Sequence, residues 1–389
     1  MNGFDPHPVF LKRVCGHVAV ANDRALSLSG IGMNTADPPG GEIVRDPSTR
    51  EPTGLLKETA IELVEKAVPR NEAEMRSALV EAASNLLRLG LTSLHCIIEN
   101  QTEFRILLQL KKMGRIAQSI YAILPLSMLD RADKTRATAR GVKGFRLGGF
   151  KAYLDGSLGA RTAALFEPYS DDDGNLGMLR MDPGELLEKA EKISQEGFQL
   201  CMHAIGDRAV ETAVATAEKI TGQGGANSRH RIEHSSLAPR RLIARMKRAG
   251  LVASVQPRFI YSDSWARERL GARRVRDLYP FRSMRAGGLT LAFGSDCPVE
   301  DPDPFEGVWS AVARPGLSPG QSLSVREALA GYTTGAAFAS FSEAEQGTLE
   351  PGKRADMVVL DRDPFDCSID GLRKVRVLRT IIAGKLFNP

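Results

Sequence analysis

The stretch Gly197-Phe-Gln-Leu-Cys-Met-His-Ala-Ile-Gly-Asp207 decides the fold of this chain. Gln199 to Met202 is a short apolar run, of the kind found in parallel strands that are buried on both faces. The run ends at His203, and a Gly-Asp turn and a helical segment follow it. The pattern predicts a strand with His203 at its C-terminal end. In α/β proteins this edge of the sheet is where ligands bind and chemistry takes place.

Strand-then-helix units of the same kind flank this stretch on both sides. The other predicted strands are Thr92 to Cys96, Gln118 to Leu124, Gly144 to Leu154, His230 to His234, Leu251 to Gln256 and Leu289 to Phe293. Regular alternation of strands and helices requires parallel strands joined by right-handed crossovers. Seven βα repeats are one short of a closed barrel. We therefore predict an α/β fold, a TIM-type (β/α)8 barrel that is missing its first strand.

The residues before the first predicted strand show weaker patterns. Residues 1–56 are punctuated by Gly and Pro, and they contain one helical patch at Asn22 to Ser29 but no convincing strand. Helical patterns follow at Glu58 to Val68 and again from Asn71. Asn71 is expected to cap the second of these helices, with Glu74 completing a capping box.

The segment that follows the barrel repeats has a different pattern. Pro-Gly and Ala-Gly turns separate β-rich runs at Met357 to Leu360 and Val375 to Ile382. We therefore predict two domains. Residues 1–345 form the barrel, and residues 346–389 form a small β appendage.

Charge and composition exclude several classes of function. The net charge of +5 is spread over 52 basic and 47 acidic side chains among 389 residues, so we expect no nucleic-acid partner. No apolar run approaches the roughly 20 residues that a membrane span needs. The first residues lack the layout of a signal peptide, and five scattered cysteines fit reduced thiols. These features favour a cytoplasmic protein without a membrane anchor.

Four predicted strand ends carry a side chain that can bind metal or transfer a proton: Lys151, His203, His234 and Asp296. In a barrel these ends converge on one mouth, so residues far apart in sequence meet there. Imidazoles are nitrogen ligands for a metal such as Zn²⁺, and an aspartate can bind the metal and take a proton from its bound water. A buried neutral lysine can react with CO₂ to give a carbamate whose oxygens bind metal.

Each of these residues also has a structural reading. Lys151 can be a solvated or ion-paired lysine, His234 a buried hydrogen-bonded histidine, and Asp296 a turn residue. Asp155 and Asp207 lie beside glycines in sharp turns, so we interpret both as supporting or structural residues. The four strand ends together favour function over these alternatives.

Several stretches carry a family resemblance. They are Gly149-Phe-Lys-Ala-Tyr-Leu-Asp-Gly-Ser-Leu-Gly-Ala-Arg-Thr-Ala163, His203-Ala-Ile-Gly-Asp-Arg-Ala209, Arg231-Ile-Glu-His234, Val255-Gln-Pro257 and Phe293-Gly-Ser-Asp-Cys-Pro-Val-Glu300. Together they resemble the amidohydrolase superfamily, and most of all amidohydrolase family 3, which includes N-substituted formamide deformylases. The similarity extends from Cys15-Gly-His-Val-Ala-Val-Ala-Asn22 to Gly347-Thr-Leu-Glu-Pro-Gly-Lys-Arg-Ala-Asp356, nearly the whole chain.

The resemblance implies a metal-dependent hydrolase in which Lys151 is carbamylated, His203 and His234 bind the metal, and Asp296 binds metal or acts as the general base. It also implies that the C-terminal strands belong to a small β-sandwich. The family pattern includes a His-x-His pair on the first barrel strand, and no such pair occurs in these 389 residues. We therefore expect one divalent ion rather than two, with zinc before manganese or iron, and a barrel that lacks the strand bearing the pair.

The function implied is hydrolysis of a non-peptide C–N bond in a small amide or formamide by a metal-activated water, with Asp296 passing the proton to the leaving amine. The candidate substrate contacts are His17, Arg161, Gln256 and Arg274. The alternative is an inactive or impaired homologue that serves as a scaffold or needs a partner to complete the barrel. An open barrel exposes strand edges, so a homodimer is also left open.

Overall fold

The computed structural model describes residues 7–14, 16–68, 71–221 and 229–387. The cysteine at position 15, part of the quoted similarity, lies outside these ranges. Near the N-terminus an antiparallel sheet has its own small core. Its elements are β1 (Phe10–Lys12), β2 (Val18–Ala21), α1 (Asp23–Leu28), β3 (Gly41–Arg45), β4 (Pro52–Glu58) and α2 (Ile61–Glu65). The order across the sheet is β1-β2-β4-β3.

The prediction that residues 1–56 contain no convincing strand is therefore wrong. The strands are short, β2 buries only alanines, and β4 begins with proline, so none of them shows a clear alternating pattern. Within β4, Gly54 has φ +90°, and a Cβ there would collide with the Ala21 carbonyl, so the site accepts only glycine. The helix predicted from Glu58 begins instead at Ile61, because Glu58 ends β4.

A parallel sheet of seven strands forms the centre of the molecule. The strands are β5 (Ser93–Ile97), β6 (Ser119–Pro125), β7 (Phe145–Tyr153), β8 (Gln199–Ala204), β9 (Arg231–His234), β10 (Val252–Val255) and β11 (Leu291–Phe293). Each strand pairs with the next in chain order, which gives a curled, incomplete barrel. In the described ranges β5 and β11 are the two edge strands and do not pair with each other. The predicted α/β barrel with seven strands is confirmed.

Helices cover the outside of this sheet. They are α3 (Glu72–Arg88), α4 (Gln101–Lys112), α5 (Ala132–Ala139), α6 (Pro183–Gln195), α7 (Asp207–Thr221), α8 (Arg240–Arg248), α9 (Phe259–Ser262), α10 (Ala266–Arg274), α11 (Phe281–Ala286), α12 (Pro304–Ala313), α13 (Val325–Ala330) and α14 (Ala336–Ala339). The predicted cap of α3 is confirmed, because the Asn71 side chain accepts hydrogen bonds from the Ala73 and Glu74 backbone N–H groups. None of the helices in the described ranges has both the length and the apolar character that a membrane crossing requires.

The C-terminal segment forms a small antiparallel sheet, as the β-rich runs predict. Its strands are β12 (Met357–Leu360), β13 (Val377–Ile382) and β14 (Lys385–Phe387), in that spatial order. Thr380 donates a hydrogen bond to the Leu87 carbonyl of α3 at 2.8 Å and so ties this sheet to the barrel. The division into domains at residue 345 stays a prediction.

His230 directly precedes β9 and forms a hydrogen bond with β8. Its protonation provides a test of how the two strands pack. Its Nδ1 accepts a hydrogen bond from the Leu200 N–H at 2.9 Å, and burial lowers the pKa of His230 to about 4. Unfolding restores the ordinary value near 6.5, so the unfolded chain takes up the proton first as pH falls. The free energy of unfolding should therefore fall by roughly 3 kcal/mol between pH 6.5 and pH 4 through this residue.

In His230→Asn the amide oxygen still accepts the Leu200 N–H, but no titrating group remains. Denaturant unfolding at several pH values should show a shallower loss of stability for this variant than for the wild type across that window. Equal slopes for the two proteins would mean that His230 does not titrate as its burial implies.

Candidate active site

Three adjacent strands and the loop after β11 bring the four predicted residues to the same edge of the sheet. Lys151 lies on β7, His203 on β8 and His234 at the end of β9, and Asp296 follows β11. The Lys151, His203 and His234 residues are 3%, 2% and 4% exposed. Burial of this kind in polar side chains requires partners, and these residues are one another's neighbours.

His203 and His234 form the centre of the site. Their ring centroids are 4.5 Å apart with an edge-to-face angle of 68°. Burial lowers the pKa of both imidazoles well below the usual value, and the charge of Lys151 adds to the effect. Both rings are therefore neutral, and each carries one nitrogen lone pair.

The hydrogen bonds of these two rings indicate which atoms are free. Nε2 of His203 lies 3.0 Å from the carbonyl oxygen of Gly156, so Nε2 carries the proton and Nδ1 the lone pair. Nδ1 of His234 is buried and has no hydrogen-bond partner among the described residues. An unpaired buried nitrogen costs about 1–3 kcal/mol, and this atom is available to a bound group.

Lys151 and Asp296 are electrostatically coupled beside the imidazoles. Lys151 Nζ lies 4.9 Å from the Tyr153 ring centroid, which is 5.6 Å from that of His203. Burial lowers the pKa of Lys151 against the opposing carboxylates of Glu233 and Asp296. Burial also raises the pKa of Asp296 to about 6, although Lys151 opposes this rise. The pKa of the amine is thus below its usual value, and the pKa of the carboxyl group is above its usual value.

Strained backbone accompanies the site. His234, Asp296 and Glu58 all have positive φ, at 72°, 58° and 54°. Each such conformation costs about 1–3 kcal/mol in a residue other than glycine, and the surrounding structure must hold it in place. Backbone strain at several residues of one site is typical of positions where the direction of the side chain is more important than local stability.

A buried ion pair below the metal-capable residues was not predicted from the sequence. Arg231 Nε lies 2.6 Å from Glu233 Oε1, and Arg231 Nη1 lies 3.0 Å from His95 Nδ1. Although burial opposes it, Arg231 lowers the pKa of Glu233 to about 2. The signal was available, since Arg231 and Glu233 alternate with an apolar residue on β9 and so share a face of the strand.

His17 reaches the site from the N-terminal sheet, as its prediction as a substrate contact requires. Its ring centroid lies 5.3 Å from that of His203. Its Nδ1 lies 2.9 Å from Oε2 of Glu58, a fully buried carboxylate that also interacts with Thr162 and Arg180. Glu58 was missed because it ends β4, a strand that the sequence did not reveal.

The other predicted substrate contacts lie in different surroundings. Gln256 follows β10 and is buried, and its Oε1 has no partner among the described residues. Arg161 pairs with Asp171 at 2.9 Å, and Arg274 donates to the carbonyl of Glu167 at 2.7 Å. The two arginines thus hold the loop after β7 in place. The role of all three as substrate contacts stays a prediction.

Two aspartates, which the sequence indicates as supporting residues, and the cysteine near the end of β5 have structural surroundings. Asp155 accepts three backbone N–H groups at 2.8–3.0 Å, from Ala164, Ile205 and Gly206. Asp207 accepts the Phe166 N–H at 3.1 Å. Burial raises the pKa of the Cys96 thiol to about 12, which makes it a poor metal ligand. Within the described ranges, no three His, Cys, Asp or Glu side chains lie close enough to hold a metal by themselves.

Comparison with known proteins decides the family. The model of the amidohydrolase family matches residues 2–387. The chain belongs to this family. It is 32% identical to the putative amidohydrolase YtcJ of Bacillus subtilis, with 98% of this chain and 74% of YtcJ covered. It is 29% identical to an N-substituted formamide deformylase of Arthrobacter pascens, with 98% and 73% covered.

A solved structure agrees with this assignment. An uncharacterized metal-dependent hydrolase from Pyrococcus horikoshii superposes with a TM-score of 0.78 at 33% identity, over 93% of this chain and 73% of that one. Members of the amidohydrolase family generally use divalent metals. The alternative of an inactive scaffold is not favoured by these similarities.

Proposed function

We propose that this amidohydrolase cleaves non-peptide C–N bonds in small amides or formamides with the help of one divalent metal ion. The observation that carries the proposal is the buried, unpartnered Nδ1 of His234 beside the neutral ring of His203. Nitrogen lone pairs on two neighbouring imidazoles suit zinc, and manganese or iron can take the same ligands. The similarity to an N-substituted formamide deformylase supports the choice of bond.

The donor set fits such an ion. His203 and His234 supply neutral nitrogens, and the Gly156 carbonyl fixes the ring of His203, as outer hydrogen bonds do for metal-binding histidines. Because no third His, Cys, Asp or Glu in the described ranges lies close enough, the remaining ligands are proposed to come from Lys151 and from a small movement of Asp296.

We propose that Lys151 is carbamylated. Its burial lowers the pKa of the amine, so a neutral nucleophile is available for CO₂. With the Lys151 amine neutral, the buried side chains of Arg231, Glu233 and Asp296 carry a net charge of −1. A carbamate on Lys151 makes the net charge −2, which a divalent cation would neutralise.

The roles of the side chains follow from these positions. When bound, a divalent metal would polarise the carbonyl group and lower the pKa of a water molecule. Asp296 would hold the proton that this water releases and hand it to the leaving amine. Tyr153 and Phe259 flank the two imidazoles with aromatic rings and keep them in a low-dielectric setting.

The first test is metal content together with turnover. Protein purified without chelator is expected to contain about one equivalent of zinc, manganese or iron, and to release amine from members of a panel of N-substituted formamides and small amides. Dialysis against a chelator should abolish amine release, and added zinc should restore it. Metal-replete protein that cleaves no member of the panel would contradict the proposed bond.

The setting and assembly of the enzyme are also proposals. The four described cysteines are free, which supports a reducing, cytoplasmic environment. The edges of β5 and β11 can pair with another strand, so homodimer formation stays a prediction.

A further inference from the structure

The N-terminal sheet brings a histidine–carboxylate pair to the active site. His17 precedes β2, and Glu58 ends β4 with a side chain that is 0% exposed. The two side chains meet with Nδ1 of His17 2.9 Å from Oε2 of Glu58. The strained φ of 54° at Glu58 directs this carboxylate, so the backbone of β4 maintains the pair at a cost in stability.

The surroundings of Glu58 fix the tautomer of His17. Thr162 Oγ1 donates to Glu58 Oε1 at 2.6 Å, and Arg180 Nη1 lies 3.3 Å from Oε2. Although burial favours the neutral acid, the bond with His17 and the charge of Arg180 keep the pKa of Glu58 below its usual value. A carboxylate only accepts hydrogen bonds, so the tautomer of His17 that this contact selects has its proton on Nδ1 and its lone pair on Nε2.

The free nitrogen of His17 is available to a bound molecule. Nε2 lies on the edge of the ring away from Glu58, and no donor among the described residues contacts it. The ring is 5.3 Å from that of His203, centroid to centroid, and its side chain is 11% exposed. The site therefore offers one oriented hydrogen-bond acceptor next to the imidazole pair.

We propose that His17 is a specificity-determining residue that accepts a hydrogen bond from the N–H group of a secondary amide substrate, and that Glu58 positions it by fixing its tautomer. This inference rests on the proposed function and narrows it. N-monosubstituted amides and formamides are the preferred class, because N,N-disubstituted ones have no N–H to donate. A buried acceptor left unpaired by such a substrate reduces its affinity.

Two substitutions of His17 distinguish substrate binding through Nε2 from the structural hydrogen bond to Glu58 through Nδ1. Asparagine places its amide near Nδ1, so His17→Asn keeps a donor to Glu58 but has no group at the Nε2 position. Glutamine reaches the Nε2 position, so His17→Gln keeps an acceptor there and weakens the bond to Glu58. If His17 only held the N-terminal sheet against the barrel, the bond to Glu58 would be its one important contact. Asparagine would then preserve both stability and substrate binding better than glutamine.

The test compares the affinities of the protein for a secondary and a tertiary amide. Calorimetry on zinc-loaded protein compares N-butylacetamide with N-butyl-N-methylacetamide, which differ at the amide N–H and in one methyl group. The wild type should bind the secondary amide about tenfold more tightly, as one hydrogen bond implies. His17→Asn should lower that ratio severalfold while the midpoint of thermal unfolding changes little, and His17→Gln should retain most of the ratio.

Equal affinities in the wild type, an unchanged ratio in His17→Asn, or no binding of either amide would overturn the inference. A ¹⁵N NMR spectrum of labelled histidine that shows a proton on Nε2 of His17 would overturn it as well. Discrimination between the two amides without hydrolysis of any formamide would leave the inference standing and would contradict the proposed function alone.

Discussion

Lys151→Ala is expected to lower kcat/KM by at least about 10³-fold and to remove most of the bound metal. The substitution deletes the amine that would carry the carbamate. The metal site would then lack the anionic ligand that complements the two imidazoles. Added short carboxylic acids such as acetate or propionate should restore part of the activity, because they fit the space that the truncated side chain leaves and supply two oxygens. The measurements are metal analysis and amine release with and without the acid.

Two controls make this result specific. Lys143→Ala removes an exposed lysine just before β7 and should leave both metal content and activity unchanged. Lys151→Met keeps the side chain out to Cε but has no amine and cannot form a carbamate, so it should be inactive and resist rescue by added acid. Wild-type activity in Lys151→Met would exclude the carbamate.

His234→Asn is expected to weaken metal binding by more than about 100-fold and yet to stabilise the metal-free protein by roughly 1 kcal/mol. The metal effect follows from the loss of a nitrogen ligand. The stability effect follows from the backbone, because asparagine adopts the observed φ of 72° more readily than histidine.

Opposite effects on binding and stability are typical of a residue held in place for function. Denaturant unfolding in the presence of chelator measures the stability change, and competition with a zinc indicator measures the affinity. His230→Asn is the matched control, because it replaces another buried histidine outside the site and should leave zinc affinity unchanged. Destabilisation of metal-free His234→Asn by 2 kcal/mol or more would show that His234 is a structural residue.

The barrel and its central residues were predictable from the sequence. Each apolar run marks a buried strand, and the residue that follows the run lies at the C-terminal edge. Lys151, His203 and His234 lie near the C-terminal ends of β7, β8 and β9, which are neighbours in both sequence and space, and their roles stay predictions. Asp296 required the further assumption that β11 curls toward the same mouth, and the interaction between Asp296 and Lys151 on β7 agrees with it.

The contribution of the N-terminal sheet was not predictable by the same rule. Its strands bury alanines and contain proline and glycine, so their apolar pattern is too weak to reveal an antiparallel sheet. The Glu58 carboxylate therefore had no assigned position. The surroundings of Arg161 and Arg274 were not predictable for a different reason. Both guanidinium groups bind residues of the loop after β7, and the sequence does not show these long-range pairs.

His203 and His234, with Lys151 and Asp296, are proposed to bind one divalent ion. Anomalous diffraction at the zinc edge, from crystals grown with zinc, tests this proposal most directly. We expect one strong peak between the two imidazoles, about 2.0–2.1 Å from a nitrogen of each ring, with density for a carbamate on Lys151. A peak elsewhere, or none between His203 and His234 at full zinc loading, would contradict it.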